Sequence, residues 1–156
     1  MKFPLAWSVG TCFGIGRLPK APGTWASLAA LPLGWLLLYV GGTTALAMAI
    51  PIVFVIGVWA SRQIIWAIKK EDPSVIVIDE IVGQWIALLP VGLIWWQFAA
   101  AFVLFRVFDI LKPWPIGFVD RTVKGGLGAM ADDAIAGITA AFFLWVVIFF
   151  AGSYLG

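Results

Sequence analysis

The sequence contains no histidine and only one cysteine, Cys12. The absence of histidine excludes histidine nucleophiles and bases and most zinc sites. A single cysteine excludes an internal disulfide. Cys12 and Arg17 form a C-x₄-R pattern, one residue short of the C-x₅-R loop of cysteine phosphatases, and no D-x-D pattern occurs. Any chemistry is therefore expected to depend on carboxylates, lysines and arginines.

Charged residues are also scarce, at 12% of the chain, where soluble domains carry about 25%. The chain is 63% hydrophobic, its mean hydropathy is +1.04, and it contains ten tryptophans, which suit membrane interfaces. Its surface is thus expected to face a lipid bilayer. We find no signal peptide, and neither the net charge of +2 nor any basic stripe favours nucleic-acid binding. The prediction is one membrane-embedded domain, residues 1–156.

Apolar runs at about 26–40, 44–61, 81–105 and 134–155 predict helices that cross or enter the membrane. Residues 81–105 form either one tilted span or two short helices that turn near Pro90. The basic residues all lie between the runs, so the positive-inside rule favours the turn. The predicted fold is an all-α polytopic membrane protein, a small bundle of four to five transmembrane or re-entrant helices with its active site on the cytoplasmic face.

The segment GIGRLPKAPGTWASL (14–28) combines three glycines with Arg17 and Lys20. Glycines and a helix N-terminus, expected near Thr24 or Ser27, favour anion binding. We therefore assign Arg17 and Lys20 as phosphate-binding residues. The alternative is an interfacial loop with two basic anchors.

Asp79 and Glu80 interrupt the apolar stretch VIVIDEIV, in a helix expected to start at Asp72–Pro73. Carboxylates near a membrane interior are costly and are usually paired, metal-bound or functional. We interpret them as metal ligands, with or without a general base. A structural pair with a basic residue from another helix is the alternative.

In FRVFDILKPWPI (105–116), Arg106, Asp109 and Lys112 follow at a spacing of three, which places them on one face of a helix that ends before Pro113. Arginine can bind phosphoryl oxygens through two parallel N–H groups of its planar guanidinium, whereas lysine acts as a point charge. A simple ion pair at a helix end is the alternative. Asp120, Arg121 and Lys124 are expected in a cytoplasmic loop, where the two bases would contact lipid headgroups.

Asp132 and Asp133 in KGGLGAMADDAIAG (124–137) are expected at the start of a long apolar helix, where acids also serve as caps. Oxygen ligands from separate segments, without histidine or cysteine, favour Mg²⁺ over zinc. The candidate ligands are Asp79, Glu80, Asp109, Asp132 and Asp133.

These four segments, in this order, resemble the phosphatidylglycerophosphatase A family over about residues 8–150. The F-R-x-F-D-x-x-K-P-W-P-I block is the most specific, and Ala26 stands where the family often has glycine. The resemblance implies a Mg²⁺-dependent phosphatase of the bacterial inner membrane. Its reaction would convert phosphatidylglycerophosphate to phosphatidylglycerol, the last step of phosphatidylglycerol synthesis. By motif position, the family's acids fall on Asp79, Glu80, Asp109, Asp132 and Asp133, and its phosphate-facing bases on Arg106 and Lys112.

Metal-assisted phosphoryl transfer suits this residue set. The nucleophile is either water, with Asp79 or Glu80 as base, or a carboxylate that becomes an aspartyl-phosphate. A phosphatidyl-transferring synthase is disfavoured because its D-G-x₂-A-R signature is absent. A transporter would place charges mid-span, and a non-catalytic assembly partner would need no two acidic pairs. Oligomeric state is left open.

Overall fold

The computed structural model describes residues 3–70 and 73–155, and side chains to residue 150. In this part of the chain there are six α-helices and no strand: α1 (Pro4–Gly10), α2 (Pro22–Ile68), α3 (Ile78–Ala87), α4 (Trp95–Leu111), α5 (Ile116–Thr122) and α6 (Gly125–Leu155), with a 3₁₀ turn at Ile15–Arg17. The predicted all-α class is confirmed.

Helix α2 is two helices joined at Gly42, whose φ of 63° and ψ of −163° are not helical. We call residues 22–41 the first arm and residues 43–68 the second arm. A methyl group added at Gly57 would lie 3.4 Å from Ile78, and Gly23, 34 residues earlier, lies against Glu80. Gly23 in the first arm and Gly57 in the second arm therefore both lie against the first turn of α3. The two arms are thus antiparallel, as the two apolar runs predicted.

The run at 81–105 is interrupted, because α3 ends at Ala87 and α4 begins only at Trp95. At 1.5 Å per residue, the ten-residue α3 is about 15 Å long, half the thickness of a bilayer core. An ion pair between Glu80 and Arg106 brings the start of α3 beside the end of α4. This is the helical hairpin that charge placement favoured.

Several expected helix and loop positions differ from the structure. Helix α3 begins at Ile78, not at Pro73, because Val77 donates its N–H to the Gly10 carbonyl at 2.9 Å and residues 75–77 pack as a non-helical segment. Asp72 lies outside the described residues. Helix α2 begins at Pro22, ahead of Thr24. Asp120 and Arg121 belong to α5 and not to a loop.

Helix α6 begins at Gly125, so Asp132 and Asp133 lie two turns inside it and do not cap it. Its early glycines permit this, because a methyl group at Gly126 would collide with the second arm and one at Gly128 with Val123. Close packing thus extends the helix towards its N-terminus and moves both acids into the bundle.

Helices α3 and α6 cross in close contact. A methyl group at Gly83 would lie 2.7 Å from the Asp133 carbonyl oxygen, and one at Gly137 would collide with the Gly83 backbone. Glycine at both positions lets the two backbones touch. The crossing sets Asp79–Glu80 beside Asp132–Asp133.

Within the described residues, two helical stretches are long and apolar enough to cross a membrane: Pro22–Ile68, which comprises both arms of α2, and Gly125–Phe150. Large apolar side chains are exposed along both, among them Trp35, Val55, Phe142 and Trp145. Exposed apolar surface on this scale is typical of contact with lipid or another protein.

Candidate functional site

One cleft gathers seven of the nine predicted site residues. It has a volume of about 410 Å³ and lies where α2 and α3 begin and α4 ends. Its charged side chains are Asp79, Glu80, Asp109, Asp132, Asp133, Arg106 and Lys112. These residues come from α3, α4 and α6, so the tertiary fold, not sequence proximity, brings them together.

Arg106 is the centre of what we call the arginine cluster: Arg106, Glu80, Asp109 and Ser27. Its Nη1 atom contacts Glu80 Oε2 and lies 2.9 Å from Asp109 Oδ2. The Ser27 hydroxyl donates to Glu80 Oε2 at 2.8 Å. The three ionic side chains are only 11–14% exposed, so this is a largely desolvated ion network.

Gly23 gives this network its space. A methyl group there would collide with Glu80 Oε1 and lie 3.5 Å from Arg106 Nη1. A side chain at position 23 would displace the Glu80 carboxylate. Gly23, one of the three glycines in the predicted phosphate-binding loop, therefore permits close packing at the cleft wall.

Lys112 is the centre of the second group, the lysine cluster: Lys112, Asp120 and Asp132. The Lys112 Nζ atom lies 2.7 Å from Asp120 Oδ1 and 2.6 Å from Asp132 Oδ2. Burial lowers the pKa of Lys112, but the hydrogen bonds to both carboxylates outweigh this and raise it. The hydrogen bond from Lys112 lowers the pKa of Asp120. Lys112 is thus held as a cation at the cleft.

The remaining two acids, Asp79 and Asp133, lie in the interior of the cleft. Asp79 Oδ1 accepts the Glu80 backbone N–H at 2.9 Å. Both carboxylates lie within electrostatic reach of each other and of Glu80, Asp109 and Asp132. Like charges in a desolvated site repel each other unless a cation lies among them.

The donor set fits a hard divalent cation. Five carboxylates face two cationic side chains, a formal excess of three negative charges in the cleft. Asp132 Oδ1 is buried and has no hydrogen-bond partner. Mg²⁺ binds oxygen ligands, and a site with an excess of negative charge favours it. An unpaired buried carboxylate oxygen is otherwise costly.

Within residues 3–70 and 73–155, no three acidic side chains are yet arranged as a metal-ligand group. Arg106 and Lys112 explain this, because they engage Glu80, Asp109 and Asp132. A metal at this site would have to share or replace those ion pairs. The metal assignment of the five acids thus stays a prediction.

Arg17 and Lys20 are not among the residues that line the cleft. Both are exposed, and the Arg17 guanidinium carbon lies 5.7 Å from the centre of the Trp7 ring. Their loop nevertheless leads directly into the cleft wall, which begins at Ala21. Their phosphate-binding role stays a prediction.

Cys12 is poorly suited to nucleophilic attack. Its sulfur lies 3.6 Å from the Val77 carbonyl oxygen. Burial, with smaller contributions from the charges of Asp79 and Glu80, raises the pKa of the thiol to about 12. A thiol of this kind stays protonated near neutral pH. This agrees with the incomplete phosphatase-loop spacing.

Sequence reasoning missed two side chains that bind site residues, Ser27 and Asp120, and one buried polar side chain on the helix of Glu80, Gln84. Ser27 was considered only as a helix start, and Asp120 only as part of a loop. Gln84, one turn after Glu80 on α3, is fully buried, and neither of its side-chain polar atoms has a hydrogen-bond partner. The sequence feature that could have identified Gln84 is a single side-chain amide in a largely apolar helix. No local signal connected Asp120 to Lys112.

Comparison with known proteins identifies one family. The phosphatidylglycerophosphatase A family model matches residues 8–148. Two relatives named phosphatidylglycerophosphatase A are each 39% identical. The protein from Escherichia coli (strain K12) aligns over 86% of this chain and 78% of its own length. The one from Haemophilus influenzae aligns over 91% and 85%.

A third relative, from Bacteroides thetaiotaomicron, is named as a candidate phosphatidylinositol-3-phosphatase. It is 41% identical over 83% of this chain and 85% of its own length. No solved structure matches the chain. The three names share a phosphate ester on a lipid headgroup.

Proposed function

Because this chain belongs to the phosphatidylglycerophosphatase A family, we propose that it hydrolyses phosphatidylglycerophosphate to phosphatidylglycerol and inorganic phosphate, with Mg²⁺, as the last step of phosphatidylglycerol synthesis. Family membership makes the chain an enzyme of the phosphatase class. The observation that carries the proposal is the convergence of Asp79, Arg106, Lys112 and their neighbours in one cleft.

Arg106 and Lys112 would bind the phosphoryl oxygens of the substrate. Arg106 Nε is buried without a hydrogen-bond partner, so the ion pairs with Glu80 and Asp109 do not use all the donors of the guanidinium. Positive charge on the equatorial oxygens is most of what phosphoryl transfer requires. The two cations therefore supply binding and charge neutralisation together.

Asp79, Asp133 and the unpaired Oδ1 atom of Asp132 are the carboxylate groups best placed to hold Mg²⁺, because Glu80 and Asp109 are paired with Arg106 and Asp132 binds Lys112 through Oδ2. When bound, the ion would add positive charge beside the phosphoryl group. Glu80 Oε2 is engaged by Ser27 and Arg106, so Asp79 is the better proton acceptor for an attacking water. The phosphorus–oxygen bond to glycerol would then break, the proton accepted by Asp79 would pass to the leaving glycerol oxygen, and phosphatidylglycerol and inorganic phosphate would be released.

The activity test is phosphate release from phosphatidylglycerophosphate by the purified chain in detergent. We expect release only with Mg²⁺. Asp79→Asn should lose about 100-fold or more, since removing a proton acceptor costs at least this much. Asp109→Asn should also lose most of the activity, because Asp109 holds Arg106 in position. Circular dichroism should show unchanged helix content in both variants. Phosphatidylinositol-3-phosphate and phosphatidic acid, tested in parallel, measure headgroup preference.

Full activity of both variants in excess chelator would contradict the metal-carboxylate mechanism. Faster release from phosphatidylinositol-3-phosphate would transfer the assignment to that substrate. The two results are independent, because the first concerns the cleft and the second concerns the headgroup it accepts.

We further propose that the chain crosses the bacterial inner membrane several times, with the cleft on the cytoplasmic side. The described basic residues lie within positions 17–20, 62–70 and 106–124, whereas the turns at Gly42 and Pro90 carry no charge. Clustering of lysine and arginine on one side is typical of the cytoplasmic face.

Thiol labelling in a Cys12→Ala background tests this orientation. Ser74→Cys and Lys124→Cys, both at exposed positions beside the cleft, should react only from the cytoplasmic side. Thr43→Cys, exposed at the opposite turn, is the matched control and should react from outside. Reaction of position 124 from outside would overturn the orientation.

A further inference from the structure

A second cavity, an apolar groove of about 250 Å³, lies on the other side of α3 from the acids. Its walls come from the segment after α1, both arms of α2 and the first two turns of α3. Ala29, Leu33, Val53 and Ile78 are among the side chains that line it. Cys12 supplies a sulfur, and its raised pKa leaves it uncharged.

The groove and the acidic cleft share the first turn of α3. Ile78 lines the groove, and the next residue, Asp79, lines the cleft. The thiol of Cys12 in the groove is close enough to Asp79 and Glu80 to respond to their charges. One turn of helix thus separates an apolar cavity from a phosphate-sized polar one.

The rim of the groove has a strained backbone. Cys12 and Phe13 have φ angles of 46° and 57°, followed by Gly14 at 104°. Hydrogen bonds hold the turn, including Phe13 N–H to the Ser8 carbonyl at 2.7 Å. Left-handed conformations in non-glycine residues cost free energy and are concentrated at functional sites. The turn leaves the Phe13 ring 92% exposed beside the groove, as suits a residue that enters lipid.

We propose that this groove binds a segment of one acyl chain of the lipid phosphate whose headgroup occupies the cleft. The inference rests on the proposed function. The cleft itself is too polar for a hydrocarbon chain, so a lipid with its phosphate at Arg106 needs an apolar path nearby. Ligand pockets commonly hold about 300–1,000 Å³, so this groove suits part of a single chain. Its role is to orient the ester.

Filling the groove tests the proposal. Ala29→Trp places an indole in it from the first arm, and Val53→Trp does so from the second arm. Ala47→Trp, at an exposed position of the second arm, is the matched control. Each is assayed on phosphatidylglycerophosphate with long acyl chains and with water-soluble dihexanoyl chains.

We expect either filled variant to lose about tenfold in kcat/KM on the long-chain lipid, the equivalent of 1.4 kcal/mol. On the dihexanoyl lipid we expect a change of less than about twofold, and the control should match the parent on both. An equal loss on both lipids, or none on the long-chain lipid, would overturn the proposal. The second variant keeps the test valid where the first fails to fold.

A cross-linking measurement separates this inference from the proposed function. A non-hydrolysable phosphonate analogue with a diazirine in its acyl chain should label Leu33, mapped by mass spectrometry. Phosphatidylcholine with the same diazirine should label it much less. Equal labelling would mean that bulk lipid fills the groove, which overturns the inference. Failure of the parent chain to hydrolyse any lipid phosphate would overturn the function, while the labelling would still report on the groove.

Discussion

The arginine and lysine clusters solve the same electrostatic problem at different depths. In the first, Arg106 meets Glu80 and Asp109 in surroundings where all three side chains are less than one-sixth exposed. In the second, Lys112 and Asp120 are 29% and 36% exposed. Water therefore screens the second pair and scarcely reaches the first. The arginine cluster therefore resembles a fixed structural element, whereas the lysine cluster resembles a group of side chains that can exchange ion-pair partners.

The two cationic side chains, Arg106 and Lys112, also differ in rigidity. Arginine presents a rigid planar fork and stays charged, whereas lysine is a mobile point charge with three rotatable donors. Arg106 joins α4 to α3 and α2, so its position is set by three helices. Lys112, in a left-handed conformation after the last turn of α4, joins α4 to α5 and α6. We infer that Arg106 fixes the phosphate position and that Lys112 adapts to the substrate.

The largest expected effect comes from removing each cation in turn. Arg106→Ala leaves Glu80 and Asp109 buried without a counter-ion, so we expect the free energy of unfolding to fall by about 3–5 kcal/mol. Lys112→Ala should cost less, about 1.5–3 kcal/mol, the range for hydrogen bonds to charged groups. Denaturant unfolding in detergent, followed by circular dichroism, measures both.

Arg62→Ala, at an exposed position on α2, is the control and should change stability by less than about 0.5 kcal/mol. The conservative exchanges sharpen the contrast. Arg106→Lys should lose most phosphatase activity, whereas Lys112→Arg should keep more of it. Equal stability losses for the two alanine variants would refute the distinction between the clusters.

The arginine cluster was largely predictable from the sequence and the lysine cluster was not. Arg106 and Asp109 are one helical turn apart, and so few charges exist that Glu80 had few partners. The pairing of Lys112 with Asp120 depends on α5 folding back over α6, and α5 was expected to be a loop. Its seven residues carry no strong periodic pattern.

The predicted helix boundaries were wrong where a glycine or a backbone contact determines the start of the helix. Gly126 and Gly128 pack so closely that α6 extends two turns before Asp132, although glycine is a poor helix former. The start of α3 is delayed by a hydrogen bond from Val77 to Gly10, a residue 67 positions away in sequence. Apolar runs locate membrane-length helices well, but these long-range contacts have no local signal.

The smallest expected effect is the pH-dependent stabilisation by Asp120 in the exposed half of the lysine cluster. The pKa of Asp120 is lowered in the folded state. Its contribution to stability is therefore present above its unfolded pKa of about 3.9 and is lost as the pH falls through the folded value. The pKa of Lys112 is raised, so its contribution is present below about 10.4 and is lost as the pH rises through the folded value. Between about pH 4 and 10 both groups are charged and the pair is intact.

Asp120→Asn should therefore lower stability at pH 7 by less than about 1 kcal/mol, because the side chain is more than one-third exposed and solvent screens the pair. The difference from the parent should shrink towards zero as the pH falls through the lowered pKa of folded Asp120, because the group is then protonated in both states. Thr122→Ala removes an uncharged hydroxyl on the same helix, which donates to the Phe118 carbonyl at 2.7 Å, and its effect should not depend on pH. Unfolding midpoints in detergent at pH 3, 5 and 7 measure both variants. A constant deficit for Asp120→Asn across this range would show that Asp120 acts through packing, and the lysine cluster would then be as structural as the arginine cluster.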